Sequence, residues 1–132
     1  MSTTQKAMVY TVVPGRRVIF VTGSGKANAQ IIREFTDSVL KEAEKWKETG
    51  WAYVADCSKV PPVTPEESEA LIDLTKRICD AGCRVIAFVE GKAFMIKIQA
   101  MKHTEKSQTH IAEGHFKTIP EALDWVEKEF HL

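Results

Sequence analysis

The sequence has no excess of charge of either sign. Its 132 residues include 18 Lys or Arg and 18 Asp or Glu, which gives a formal net charge of zero at pH 7. A neutral chain has no overall field that would draw it to nucleic acid or to an anionic membrane. We therefore expect neither of these as a partner.

Long hydrophobic runs are also missing, and the first residues do not have the pattern of a leader segment. Every apolar run is much shorter than the roughly 20 residues that cross a bilayer, and the first residues, MSTTQKAMVYTVV, have no basic region followed by an apolar one. These features predict a cytoplasmic protein. With 44% hydrophobic residues the chain can build one core, so we expect a single domain over residues 1–132, with residues 1–7 flexible.

Residues that usually carry chemistry are few. The cysteines Cys57, Cys79 and Cys83 contain no CxxC pair, which favours a reducing compartment and small buried side chains over disulfides. The histidines have no metal-ligand spacing and no nucleophile motif such as GxSxG accompanies them, so we expect each to be solvated or loosely hydrogen-bonded; they are His103, His110, His115 and His131. We predict no cofactor, no metal and no catalytic residue.

What the sequence does contain is an alternation of strand and helix patterns. The predicted strands are Met8–Val13 and Arg17–Thr22, joined as a hairpin, then Trp51–Ala55, Arg84–Val89 and a weak one at Ile111–Phe116. Amphipathic helices are predicted from Asn28 to a stop at Gly50, from a capping box at Thr64 to a stop at Gly82, and after a second box at Thr118. Residues 92–107 fit a strand or a helix, and we favour a helix because another parallel strand would need a crossover before it. The fold class is α/β with a mostly parallel sheet of about five strands.

Two loops are candidate sites. Asp56, Ser58 and Thr64 follow a central strand at the sheet edge where open α/β sheets bind ligands, although helix capping alone explains Thr64. Gly23-Ser24-Gly25-Lys26 lies between a strand and a helix and resembles a weak anion-binding loop. The full phosphate-binding motif is absent, so Ser24, Gly25 and Lys26 are better explained as a flexible turn.

Three features together resemble the STAS superfamily, the fold of anti-sigma-factor antagonists, and in particular its branch of small stand-alone bacterial proteins. They are the early hairpin before a long helix, the strand ending Ala55-Asp56-Cys57-Ser58, and the tail FKTIPEALDWV at residues 116–126. The resemblance covers most of the chain from about Met8, and it implies four helices mainly on one face of the sheet. In the sigma-regulating members a serine at the start of a helix is phosphorylated, and here Pro65 or Glu66 takes its place. Glu66 is therefore a further regulatory candidate, without the usual phosphoserine.

The strands are apolar on both faces, so both faces need cover. If the helices cover only one face, as the resemblance implies, the other must meet a partner or a ligand. Phe20 and Phe88 are the interface candidates, with cover by another part of the same chain as the alternative.

These observations lead to two function hypotheses. The first is a non-enzymatic STAS-like module that binds a protein partner, including a second copy of itself as a homodimer. The second is a carrier or sensor of a small molecule, either a nucleotide or an apolar ligand. An enzyme acting through Asp56 or a histidine ranks last, unless a pocket brings a carboxylate and a histidine within hydrogen-bond reach.

Overall fold

The computed structural model of the protein describes residues 8–24, 27–90 and 94–132. These residues form an α/β fold with one five-stranded sheet and four α-helices. The strands are β1 (Met8–Val12), β2 (Val18–Ser24), β3 (Trp51–Lys59), β4 (Cys83–Val89) and β5 (Ala112–Phe116), and the helices are α1 (Ala29–Ala43), α2 (Pro65–Asp80), α3 (Phe94–Ser107) and α4 (Ile119–Phe130). The expectation for residues 1–7 lies outside the described residues.

The strands follow chain order across the sheet, β1-β2-β3-β4-β5. β1 pairs antiparallel with β2, and the other three pairs are parallel. The predicted hairpin and mostly parallel sheet are confirmed, and residues 94–107 are helical as favoured. Because β2, β3, β4 and β5 run in the same direction, their carboxyl ends share one edge of the sheet, where α/β proteins commonly place ligands.

β3 is longer than its apolar sequence predicted. The strand was expected to span Trp51–Ala55, with Asp56 directly after it, yet it continues to Lys59. Its pairing with β4 ends at Asp56, but β2 continues beside it through an irregularity, so that Ser24 pairs with Lys59. Asp56 and Ser58 therefore belong to the strand and not to the loop after it.

The start of α2 is fixed by local sequence. Thr64 Oγ1 accepts a hydrogen bond from the Glu67 N–H at 3.3 Å, and the Thr64 N–H donates to Glu67 Oε1 at 3.1 Å. Pro65 occupies the first turn, where its missing N–H needs no partner. This reciprocal capping box confirms the predicted helix start and holds the preceding loop against the helix.

Helices cover both faces of the central strands. α1, α2 and α3 lie on one face, where Ile19, Tyr53 and Ile86 belong to the first core cluster. α4 lies on the other face, and its residues Ala122 and Val126 pack in a second cluster with alternate residues of the strands, among them Val18, Val54, Val85 and Ala87. Three of the four helices therefore lie on one face, as expected. Over β3, β4 and β5 the last helix of the same chain covers the other face, which is the stated alternative to a partner or ligand.

The remaining expectations concern cysteines and membranes. Cys83 is buried as predicted, whereas Cys57 and Cys79 are only half-buried, and all three are free thiols. Among the helices of the described ranges, none combines the length and apolarity needed to cross a bilayer.

Candidate functional site

A cavity of about 280 Å³ lies between the sheet and α1, α2 and α3, at the carboxyl ends of β2, β3 and β4. Its described wall is mainly aliphatic and aromatic. The apolar contributors are Met8, Val21, Ala27, Ile32, Ala55, Val60, Pro61, Pro62, Val63, Leu71, Leu74, Ile86, Phe88 and Ala100, together with the ring of Tyr53. The sheet edge and the helices therefore enclose an apolar space, and not only a surface groove.

The loop from Val60 to Thr64 borders this cavity and is tied to α3. Gln99 Oε1 accepts from the Val63 N–H at 3.3 Å, and Gln99 Nε2 donates to the Val63 carbonyl at 3.4 Å. One side chain thus satisfies both backbone groups of Val63. Because Pro61 and Pro62 restrict the backbone beside it, this contact helps to fix the loop as part of the wall.

The predicted cluster of Asp56, Ser58 and Thr64 is only partly brought together. Asp56 and Thr64 both line the cavity. Asp56 Oδ1 accepts hydrogen bonds from the Ser58 N–H at 3.1 Å and the Ser58 hydroxyl at 2.7 Å, but Ser58 is exposed and outside the lining. Glu66 is exposed in the first turn of α2 and does not line the cavity either. Of the four residues predicted around this loop, Asp56 and Thr64 belong to the cavity.

The predicted anion loop and the two interface candidates lie in different parts of the structure. Ser24 is the last residue of β2, while Gly25 and Lys26 lie outside the described residues, so the predicted anion loop has no structural description. Phe88 lines the cavity on the face of α1 to α3. Phe20 packs half-buried with the α4 cluster on the opposite face. Phe20 and Phe88 therefore do not form one interface.

His103 is a cavity residue that the sequence did not reveal. It lies on α3, is only 8% exposed, and has Nε2 at 3.0 Å from the Ser68 hydroxyl of α2. Burial, together with the charge of Lys106, lowers the pKa of His103 below its ordinary value, so the imidazole is neutral at pH 7. Of the two expectations for this histidine, solvated or loosely hydrogen-bonded, the structure shows the second: α2 packs over His103, and its contact is the single one with Ser68.

A second cluster, of one histidine and two carboxylate side chains, lies against Phe88. His115 on β5 is held between two carboxylates, with Nδ1 at 2.7 Å from Glu90 Oε2 and Nε2 at 2.5 Å from Glu113 Oε2. Its ring stacks on Phe88 at a centroid distance of 5.2 Å. Glu90 is only 4% exposed. His115 is therefore also tightly bound, contrary to expectation.

The charges of this cluster explain its pKa shifts. Burial alone would lower the pKa of His115, but the hydrogen bonds and charges of Glu113 and Glu90 outweigh it and raise the pKa. Burial raises the pKa of Glu90, although its contact with His115 and the charge of Lys97 act in the opposite direction. A protonated His115 between two carboxylates satisfies these groups best.

Strand register, and not local sequence, brings this cluster together. Phe88 pairs with His115 and Ile86 with Glu113, so the alternating side chains of β5 point to the same face as those of β4. If this register were known, the sequence would place Glu113 and His115 beside the end of β4. Glu90 directly follows that strand. Single-sequence patterns do not give the register.

The arrangement is suited to binding more than to catalysis. The carboxylate and histidine cluster lies behind Phe88 and outside the described lining of the cavity, while His103, which does line it, contacts a serine. Burial and the neighbouring charges of Glu90 and Asp56 raise the pKa of the Cys57 thiol to about 12, which leaves it protonated and a poor nucleophile. Across residues 8–24, 27–90 and 94–132, no three His, Cys, Asp or Glu side chains converge as metal ligands.

Comparison with known proteins identifies a fold and no more. No family model matches the chain, and no curated protein matches its sequence. Among solved structures, the NMR structure of the protein TM1081 is similar, with a TM-score of 0.64 and 15% sequence identity over 98% of this chain and 94% of that one. At this identity the similarity supports the α/β architecture over nearly the whole chain and carries no information on activity.

Proposed function

We propose that this protein binds a small, mostly apolar molecule in the cavity beneath α1, α2 and α3, as a carrier or sensor. The observation that carries the proposal is the cavity of about 280 Å³ with its largely aliphatic and aromatic wall. Apolar pockets with a few polar groups are the usual form of small-molecule sites. Its location at the carboxyl edge of parallel strands is the usual place for ligands in open α/β sheets.

The volume limits the size of the ligand. An apolar cavity of about 150 Å³ holds benzene, so a cavity of about 280 Å³ accommodates roughly ten to twelve non-hydrogen atoms by the same ratio. A nucleotide is less well supported than an apolar ligand. Among the described lining residues the charged side chains are Asp56 and Glu67, which would repel phosphates.

Titration with a homologous series of n-alkylbenzenes, from toluene to heptylbenzene, tests the proposal. Burying each added methylene is worth about 0.8 kcal/mol, so affinity should rise about fourfold per methylene until the cavity is full, and then level off. Binding is followed by backbone amide shifts in two-dimensional NMR. Shifts that are absent, or spread evenly over the surface with no dependence on chain length, would contradict the proposal.

A matched pair of variants locates the binding. Ala100 is 6% exposed and lines the cavity, whereas Lys102 is exposed on the same helix. Ala100→Leu should abolish alkylbenzene binding while raising the free energy of unfolding by about 0.5–2 kcal/mol, as cavity-filling substitutions do. Lys102→Leu should change neither. If Ala100→Leu fails to fold, Leu71→Phe fills the space from α2 instead.

We also propose, as a second candidate function, binding of a protein partner, including a second copy of this chain. What supports it is the part of the α4 face formed by β1 and β2, where Val9 is 44% exposed and Phe20 is half-buried. Among the described residues β1 is also an edge strand of the sheet, and edge strands can pair with a strand of another chain. Native mass spectrometry of the wild-type protein and of Val9→Asp tests it. A dimer that Val9→Asp converts to a monomer supports the proposal, and a wild-type monomer argues against self-association.

We keep membership of the STAS superfamily as a proposal. The early hairpin, the sheet built from successive strand and helix units, and the capped last helix are compatible with it. The position taken by Glu66 still lacks the phosphorylatable serine of the sigma-regulating members, so the proposed function does not depend on a phosphoserine switch.

A further inference from the structure

Tyr53 lines the cavity and carries a hydroxyl group. It lies in the middle of β3, between Ile19 of β2 and Ile86 of β4, and it is only 4% exposed. Its hydroxyl makes no hydrogen bond with any side chain or backbone group of residues 8–24, 27–90 or 94–132. No fully buried side-chain nitrogen or oxygen of these residues lacks a hydrogen-bond partner, so the unpaired Tyr53 hydroxyl keeps access to the cavity space, where water or a ligand can form its hydrogen bond. The Tyr53 hydroxyl is therefore free to bind a ligand.

Most other polar side chains of the cavity wall already form hydrogen bonds within the protein. The Thr75 hydroxyl donates to the Leu71 carbonyl at 3.0 Å, and Gln99 is held at both ends by Val63. Thr64 and Glu67 satisfy each other in the capping box. Tyr53 thus differs from its polar neighbours in the cavity, since a ligand can use its hydroxyl without breaking an existing hydrogen bond of the described chain.

The charge of the wall selects the kind of ligand. Burial raises the pKa of Tyr53 and lowers that of His103, so both side chains are neutral at pH 7. The charged residues of the described wall, Asp56 and Glu67, are acidic. An ionised carboxylate in this cavity would therefore lose its hydration and meet no opposite charge from the described wall.

We propose that the ligand is an uncharged, mostly apolar molecule with one hydrogen-bonding group, such as an alcohol, ketone, ester or amide, and that the Tyr53 hydroxyl binds this group. This inference rests on the proposed function and adds the chemical class of its ligand. Tyr53 has the role of a specificity-determining residue, because the apolar wall supplies affinity without distinguishing one polar group from another.

Three probes of nearly equal size test the inference: n-butylbenzene, 4-phenylbutan-1-ol and 4-phenylbutanoate at pH 8. Each is titrated by NMR into the wild-type protein, Tyr53→Phe and Tyr10→Phe. Tyr10 is the matched control, because its hydroxyl donates to Glu42 at 3.4 Å and it does not line the cavity. One neutral hydrogen bond contributes about 0.5–1.5 kcal/mol, so Tyr53→Phe should weaken 4-phenylbutan-1-ol binding by about 2- to 12-fold.

Tyr53→Phe should leave the binding of n-butylbenzene unchanged. Tyr10→Phe should change the binding of neither n-butylbenzene nor 4-phenylbutan-1-ol. The wild-type protein should bind 4-phenylbutanoate at least about tenfold more weakly than the alcohol. Equal affinity of the alcohol for wild type and Tyr53→Phe would overturn the role of Tyr53. Tighter binding of the carboxylate than of the alcohol would overturn the uncharged class. Either result leaves the proposed function intact if n-butylbenzene binds, whereas failure of n-butylbenzene itself refutes the proposed function.

Discussion

Replacement of His115 by Gln is expected to destabilise the protein by removing the cation between two carboxylates. His115 Nδ1 is 2.7 Å from Glu90, which is only 4% exposed, and Nε2 contacts Glu113. Breaking a buried ion pair by removing one partner typically costs about 3–5 kcal/mol, because the other charge stays buried without compensation. We expect a loss of this size at pH 7, reduced to the extent that Glu90 takes up a proton in the variant.

The sign of the pH dependence follows from the two raised pKa values. The pKa of folded His115 is above its ordinary value of 6.5, so its contribution is fully present below pH 6.5 and is lost as pH rises through the folded pKa. The slope in that window is at most about 1.4 kcal/mol per pH unit. Glu90 acts in the same direction from its ordinary value of 4.5 upward, because its folded pKa is also raised. Wild-type stability should therefore fall as the pH rises above 6.5.

The assay is urea unfolding followed by tryptophan fluorescence at several pH values between 5 and 8.5. Wild type, His115→Gln, Glu90→Gln and the double variant form a double-mutant cycle, and His110→Gln is the control because His110 is exposed. The double variant should lose less than the two single variants together, with a coupling of about 0.5–3 kcal/mol. The reasoning is refuted if wild type and His115→Gln have the same slope above pH 6.5.

Two further substitutions test how the fold is held. Gly82→Ala should lower the free energy of unfolding by more than about 1 kcal/mol, because Gly82 has φ of +96° and a Cβ there would collide with the Lys47 backbone; thermal denaturation measures this, and an unchanged melting temperature would contradict it. Arg16→Met should cost about 1.5–3 kcal/mol, because the guanidinium donates to the Leu132 carbonyl at 2.7 Å and the Leu123 carbonyl at 3.0 Å. Urea unfolding measures this loss, and amide exchange should show it as faster opening of α4.

Local sequence predicted those parts of the fold that local interactions decide. The capping box at Thr64 and the left-handed glycine after α2, Gly82, were predicted because each needs only neighbouring residues to form. Gly50 has the predicted left-handed backbone but does not end the helix, because α1 stops at Ala43 and a 3-10 helix, Glu44–Trp46, follows it. The end of β3 was misplaced because its last residues are held by β2 and not by their own apolarity. The end of a strand cannot be predicted from its own residues when it depends on pairing with a neighbouring strand.

The position of α4 is a second feature that local sequence predicts only in part, because packing between distant elements decides the rest. The alternating apolar residues of β4 correctly predicted that both faces of the sheet are covered. They do not say what covers them, because a helix of the same chain and a second molecule would satisfy the same pattern. Both possibilities were open from the sequence, and the contacts of Ala122 and Val126 with the strands show that a helix of the same chain covers this face.

The candidate site was predicted only in its location. The carboxyl edge after Asp56 was identified from the topology of parallel sheets, but Tyr53 was read as part of an apolar strand. Nothing in WAYVA distinguishes a tyrosine whose hydroxyl is satisfied from one whose hydroxyl is free. That distinction depends on how far α2 and α3 stand from the sheet, which is set by packing across the whole core.

The cavity itself argues for a ligand on physical grounds. Empty apolar space forfeits the dispersion contacts that close packing provides, and larger side chains at its small lining residues, such as Ala55 and Ala100, would recover them. A chain under selection for stability alone has no reason to keep this space open. If Ala100→Leu is more stable than wild type and no longer binds alkylbenzenes, the space is maintained at a cost in stability, as expected of a binding site. If Ala100→Leu and Leu71→Phe are both less stable than wild type, neither α3 nor α2 has room to spare beside the sheet, and the case for a ligand is lost.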